Sequence, residues 1–135
     1  MVAATVAEMI EVPTKIVMRT IASGTAVPYG TLMKLEDENT VVVSAADSDP
    51  FGGICTFEKL ATDTDIVKIP CAMDGLWDVS TTAAAITAGA IVSIGGANQV
   101  AVSVGTADQV VGSNVGQAEE TRSDATDRIQ VRLRG

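Results

Sequence analysis

The chain has no histidine among its 135 residues. That excludes the Ser–His and Cys–His pairs on which much nucleophilic catalysis depends. Aromatic residues are scarce, with one Trp, one Tyr and two Phe. A carbohydrate-binding face or a stacking platform for single-stranded nucleic acid needs several exposed rings, and too few are present for either. The only cysteines are Cys55 and Cys71. A structural zinc site usually takes four Cys or His ligands, so no metal and no cofactor is expected. Nine Lys and Arg stand against seventeen Asp and Glu, a formal net charge of −8. A negative surface repels phosphate, so neither nucleic acid nor an anionic membrane is an expected partner. No long apolar run occurs: the Ala-rich stretch from Thr81 to Ile94 is interrupted by Thr87, Gly89 and Ser93, and no bilayer span is expected. The opening MVAATVAEMI has no Lys or Arg and contains Glu8, which does not fit a signal peptide. Synthesis in a cytoplasm is the expectation.

The acidic residues offer little chemistry. Asp47/Asp49, Asp63/Asp65 and Glu119/Glu120 fall among small polar residues, where solvated turns are expected and no apolar pocket would raise a carboxyl pKa. The Asp-x-Asp spacings lack the pattern and glycine of an EF-hand loop. Gly95-Gly96 reads as a turn, since a phosphate cradle needs a helix after its glycines. An enzyme is the least favoured class.

What is abundant is Val, Ala, Ile, Thr and Gly. β-branched residues pack well on a pleated surface, while Ala and Gly add little core volume. The length suits one domain. Residues 1–13 read as a flexible N-terminal arm ending at Pro13, which breaks any helix or central strand. From residue 14 to 135 the chain reads as short strands separated by polar turns: Thr14–Ile21, Thr31–Leu35, Thr40–Ser44, Gly53–Lys59, Asp65–Met73, Leu76–Ser80, Ala90–Ile94, Gln99–Val104, Val110–Val115 and Arg128–Arg134. This punctuation predicts an all-β fold, a small sandwich or barrel of antiparallel strands.

Two internal relations sharpen that expectation. Shifted by 59 positions, Gly30–Gly53 lies on Gly89–Gly112 without a gap. Asn39 meets Asn98, Val41 meets Val100, Val43-Ser44 meet Val102-Ser103, Asp49 meets Asp108 and Gly53 meets Gly112. Asn and Gly at these places suit tight hairpins, because both adopt positive φ. Two similar β-meanders follow, about 30–58 and 89–117, each too small to stand alone. A further hairpin centred on Asp63 sets Glu58 opposite Lys68, Phe57 opposite Ile69 and Cys55 opposite Cys71, all favourable cross-strand pairs. Pro70 then marks an edge or bulge. Cys55 and Cys71 become thiol neighbours, reduced and buried or joined as a disulfide.

Surface candidates remain. Four of the nine basic residues, Arg122, Arg128, Arg132 and Arg134, fall within the last fourteen positions. A basic final strand on an acidic body is either a contact surface or a charge-guarded edge. Trp77 is the one large aromatic anchor, for the core or for a subunit interface with Arg132 and Arg134.

Several segments recur in a familiar order. Ile21-Ala22-Ser23-Gly24-Thr25-Ala26-Val27 leads to Gly30-Thr31-Leu32, then Gly52-Gly53-Ile54 and Asp74-Gly75-Leu76-Trp77-Asp78-Val79. Ile86-Thr87-Ala88-Gly89-Ala90-Ile91-Val92, Val111-Gly112 and the closing Ile129-Gln130-Val131-Arg132-Leu133 follow. From about Ile16 to the C-terminus this order resembles the capsid cement or decoration proteins of tailed bacteriophages, a family once known only as a domain of unknown function. The chain departs from shorter members in the insert around Phe57–Asp65 and the acidic turn Glu36–Glu38. The resemblance implies a β-tulip-like barrel or sandwich module, a homotrimer on the exterior of an icosahedral virion, and the major capsid protein as partner. It implies a structural role, stabilising the expanded head, and makes the N-terminal arm the shell contact, through Met9, Ile10, Val12, Pro13 and Ile16. Deleting Met1–Pro13 is then expected to leave a folded domain that no longer decorates. The alternatives are a tail or head–tail connector protein and a carbohydrate-binding β module.

Overall fold

Among the described residues the chain forms eleven strands, most of them carrying Val or Ile, and no helix. A computed structural model of the chain describes residues 6–47, 49–82, 85–103, 112–122 and 128–133. After β1 (Glu8–Glu11) come β2 (Ile16–Thr20), β3 (Leu32–Asp37), β4 (Thr40–Val43), β5 (Phe51–Cys55) and β6 (Lys68–Ala72). These five close a barrel in the order β2-β4-β3-β5-β6. Then β7 (Leu76–Thr81), β8 (Ile91–Gly96), β9 (Gln99–Val102), β10 (Asn114–Ala118) and β11 (Arg128–Leu133) follow. They pair in the order β7-β11-β10-β8-β9, and a β9–β7 pairing returns to the start, a second ring with the same connectivity. The fold is all-β, as the composition predicts.

The repeat therefore runs through whole barrels and extends the two meanders at both ends. Each ring closes through a parallel pairing, Thr20 with Thr40 and Ser80 with Gln99. Each β-hairpin carries a register shift at one place, Leu35/Asp37 in the first and Ile94/Gly96 in the second. Both hairpins turn on an asparagine with positive φ, Asn39 at 49° and Asn98 at 57°. The isolated bridges correspond too, Val27 with Lys59 and Ile86 with Arg122.

One part of the gapless alignment is corrected. Gly53 faces Met33 on β3, and the residue facing the equivalent Val92 on β8 is Gly116, not Gly112. The 59-residue offset holds for β3–β4 on β8–β9, then fails because β4 and β5 are joined by residues 44–50 and β9 and β10 by the longer 103–113. Asp108, the expected mate of Asp49, lies outside the described residues.

A single apolar cluster runs through both barrels, from Leu32, Phe51, Ile54 and Met73 to Trp77, Val92, Ile94, Val115, Ile129 and Val131. A smaller cluster fills the first barrel: Ile21, Val27, Met33, Val41, Cys55, Ile69 and Cys71. Polar contacts join the barrels in one direction. The second hairpin tip reaches the first barrel, where Asn98 Oδ1 accepts from Leu32 N–H at 2.9 Å and Ser44 Oγ accepts from Asn98 N–H at 3.1 Å.

The expected free arm is, from Ala7 on, part of the fold. β1 pairs antiparallel with β7, Glu8 opposite Asp78 and Met9 opposite Trp77. Ala7 is 3% exposed, and its N–H donates to Gly30 O at 2.8 Å. Alternation explains this: Ala7 and Met9 point inward while Glu8 and Ile10 point out. Residues 1–5 lie outside the described residues.

Pro70 sits inside the ring, not at an open edge. β5 ends at Cys55, so the N–H that proline lacks is not needed there, and Thr56 donates its N–H and hydroxyl to Pro70 O. The expected strand through Lys59 ends early for a second reason. Lys59 is fully buried and turns to the 23–25 loop, its Nζ donating to Ser23 O at 2.6 Å and Thr25 O at 2.7 Å.

Candidate interaction surface

The N-terminal segment is held at both ends. Upstream, Arg128 donates from one guanidinium nitrogen to Val6 O at 3.0 Å while its Nε pairs with Asp78 at 2.9 Å. Downstream, the Asp74 carboxylate accepts from the N–H groups of Thr14 (2.8 Å) and Lys15 (2.9 Å) and from the Thr14 hydroxyl. The Thr14 hydroxyl and the Lys15 amide hold the Asp74 carboxyl below its ordinary range. Between them, Arg132 makes a two-pronged contact to Glu11 at 3.1 and 3.2 Å. Hydrogen bonding from Arg132 and its charge hold the Glu11 carboxyl low.

The expected shell-contact residues separate under this geometry. Met9 is half-buried against the core and faces Trp77. Ile10 is 45% exposed, Val12 79% and Ile16 45%, while Pro13 is half-buried. Met18, which alternation in TKIVMRTI places beside Ile16, joins them at 49%. The periodicity that marks β2 could have found it.

Trp77 is a core residue and not a surface anchor. It is fully buried between Met9 and Val131, its Nε1 donates to Asp74 O at 3.1 Å, and its ring lies 6.2 Å from that of Tyr29. Arg132 is engaged within the chain by Glu11 and Glu119. Arg134 lies outside the described residues.

Cys55 and Cys71 face each other in register across β5 and β6, as the hairpin centred on Asp63 requires. Both are free thiols and fully buried. Burial raises both thiol pKa values, and Cys71 is pushed up to about 12. They serve as small apolar core residues. Phe57, expected opposite Ile69, lies beyond the end of β5 and is exposed.

The acidic turns are mostly structural ties. Asp49 departs from the solvated expectation: it is 7% exposed, accepts from Ala45 and Ala46 N–H, and pairs with Lys34 at 3.6 Å. Burial would raise its pKa, but the two amides and Lys34 outweigh that and lower it. Asp63 caps Leu60 N–H, and Glu120 accepts from Gln130 N–H and pairs with Arg122. Lys59, which bonds two loop carbonyls from inside the first barrel, was not legible as a buried residue; a lone lysine carries no such signal in sequence.

No protein-family model matches the chain, and no curated protein matches it.

Proposed function

We propose that this chain is a virion structural protein that decorates the exterior of an icosahedral tailed-virus capsid and stabilises it by bridging major capsid protein subunits. The observation that carries the reading is the exposed apolar row Ile10, Val12, Ile16 and Met18. It lies on a segment locked to the body by Asp74, Arg128 and Arg132. Exposed hydrocarbon on a fixed backbone is suited to a partner surface, because little ordering entropy is lost on contact. The net charge of −8 favours an outer position, away from packaged nucleic acid. The order of segments shared with bacteriophage cement proteins supports the same role. The contact set is Ile10, Val12, Pro13, Ile16 and Met18, with Met9 acting from within by fixing β1. The chain assembles as a homotrimer on the shell and is made in the host cytoplasm. It acts by linkage: a protein that binds only the expanded lattice stabilises that lattice.

The test is co-sedimentation of the purified protein with expanded, undecorated capsids of its own virus, counting copies bound per capsid subunit. Saturation at a fixed small-integer ratio is expected. Absence of binding to the expanded shell overturns the reading and favours a tail or connector role.

A further inference from the structure

The two barrels share one connectivity but differ at one edge. In the second, the first half of β7 has a strand on both sides. β11 pairs along Leu76–Ser80, and β1 pairs opposite it at Leu76, Trp77 and Asp78. In the first barrel, β6 pairs with β2 in the same way, Ile16 opposite Ala72 and Met18 opposite Pro70. On the other side of β2, β4 meets it only at Thr20. Among the described residues, no strand takes the place next to Ile16–Met18 that β1 takes next to Leu76–Asp78.

The backbone there is oriented to receive one. Lys15 O accepts from Met73 N–H, and Ile21 N–H donates to Val67 O, so the odd-numbered residues of this segment face β6. Alternation directs the N–H and C=O groups of Ile16 and Met18 to the opposite side. Thr20 uses that side already, its N–H donating to Asn39 O at 2.8 Å.

The side chains at the two edges differ in kind. Around β1 the outward positions are charged and paired, Arg132 with Glu11 and Arg128 with Asp78. On the first barrel Arg128 keeps a charged counterpart in Lys68, opposite Thr20, but the positions beside the open slot are apolar. Ile16 and Met18 stand where Leu76 and Asp78 stand, and Ala72 and Pro70 stand where Arg132 and Gln130 stand. Leu76 is 7% exposed, while Ile16 and Met18 are 45% and 49% exposed. Edge strands are commonly guarded by charge, and this one carries hydrocarbon instead. Unpaired backbone groups beside exposed apolar side chains are the features of a strand-addition site.

We propose that the β2 edge at Ile16–Met18 binds an extended segment of the capsid subunit as an added antiparallel strand with apolar side chains at its outward positions. The identity of the donor rests on the decoration reading; the existence of the site does not. Occupancy would give the first barrel the strand that β1 supplies to the second.

The test uses the full chain and two probes. The first is a synthetic peptide of residues 6–13 carrying Glu8→Thr and Glu11→Thr and extended by two lysines for solubility, a copy of the strand that fills the equivalent slot. Saturable binding is expected, with amide exchange slowed at Ile16 and Met18 and unchanged on β7. Met18→Pro removes only an N–H directed away from β6, so the barrel ladder is kept and peptide affinity is expected to fall at least tenfold. Ile16→Lys/Met18→Lys, which leaves the backbone intact, is expected to do the same and provides the test if the proline variant does not fold. The second probe is the expanded, undecorated capsid, on which the lysine variant is expected to lose occupancy. Peptide binding that protects no β2 amide, or that both variants retain, overturns the site. Equal capsid occupancy by variant and parent overturns the capsid as donor. Self-association of the chain that the lysine variant abolishes overturns it in favour of a second copy. If the parent chain binds no capsid while the peptide protects β2, the decoration reading fails and the edge site stands.

Discussion

Gly30 and Gly89 occupy the same place in the two barrels and give a paired experiment on how the N-terminal segment is docked. Their φ angles are +85° and +91°, where a side chain costs about 1–2 kcal/mol. Gly89→Ala meets little else, since its nearest neighbour is Gln117 Nε2 at 3.9 Å. A Cβ on Gly30 would lie 2.2 Å from the Ala7 carbonyl oxygen, which is backbone and cannot rotate away. Relief requires the 6–11 segment to withdraw. The Ala7-to-Gly30 hydrogen bond is then lost, about 1 kcal/mol, and the buried Ala7 methyl returns to water, about 0.8 kcal/mol. Gly30→Ala is thus expected to cost about 3–4 kcal/mol and Gly89→Ala about 1–2 kcal/mol. Urea denaturation followed by the fluorescence of Trp77, which Met9 covers, measures both. Gly30→Ala should also speed amide exchange in β1 and leave β8 unchanged. Equal destabilisation by the two variants would refute the docking, because the added cost at Gly30 comes from the segment that lies on it.

Three other perturbations follow from the structure. Lys59→Met keeps the buried stem but leaves Ser23 O and Thr25 O without their donor, and should lower the urea-derived stability by about 2 kcal/mol or more; a change under about 0.5 kcal/mol would show that water replaces the amine freely. The buried thiols of Cys55 and Cys71 should resist a thiol reagent at pH 8 until the chain is unfolded. Because the folded Cys71 pKa is raised from 9.0 to about 12, its contribution to stability is whole below pH 9 and is lost as pH rises from there towards 12; urea midpoints at pH 8 and 10.5 should fall in that order, and less so in Cys71→Ala. Glu11 and Asp74 have lowered pKa values, so their contribution is present above the ordinary values of 4.5 and 3.8 and is lost as pH falls through the folded ones. After correction for intrinsic rates, β1 amides should exchange faster at pH 3 than at pH 6, and unchanged protection would show that these carboxylates do not fasten the segment.

Much of this architecture was legible in the chain. The offset that places Asn39 on Asn98 marks two hairpins, because asparagine at positive φ is a local requirement that survives changes around it. Cys55 opposite Cys71 followed from charge and size matching across one hairpin, which is also local. What was hidden was non-local. The pairing of β1 with β7 joins residues far apart in sequence, and an apolar stretch ending at proline reads equally as a free arm. The burial of Trp77 depends on that same pairing. The break in the repeat at Gly53 was hidden by a lengthened loop, since a gapless comparison cannot shift register between strands. At the candidate surface, Ile10, Val12 and Ile16 were named on the resemblance and are exposed, while Met18 needed the direction of β2.

The way the barrels join explains why equivalent residues end in different surroundings. Had the contact been two-fold, each hairpin tip would rest on the other barrel, and Leu32 and Ile91 would share one environment. Instead, Asn98 of the second barrel is the tip that docks, accepting from Leu32 N–H, while Asn39 of the first accepts from Arg19 within its own barrel. The packing is therefore head-to-tail, and such packing leaves one face of each kind unused at the ends of the chain. Leu32 is 1% exposed beneath the docked tip, and Ile91, at the same position of the repeat, is 42% exposed. At the other end, β1 closes the strand slot of the second barrel and the slot of the first stays open at Ile16–Met18. The exposure of Ile91 follows from the direction of the inter-barrel contact, and that of Ile16 and Met18 from β1 pairing with the second barrel alone. Their positions follow from the duplication, and the proposed strand-addition site differs from its counterpart in carrying hydrocarbon on β2 where the second barrel carries the Arg128–Asp78 pair.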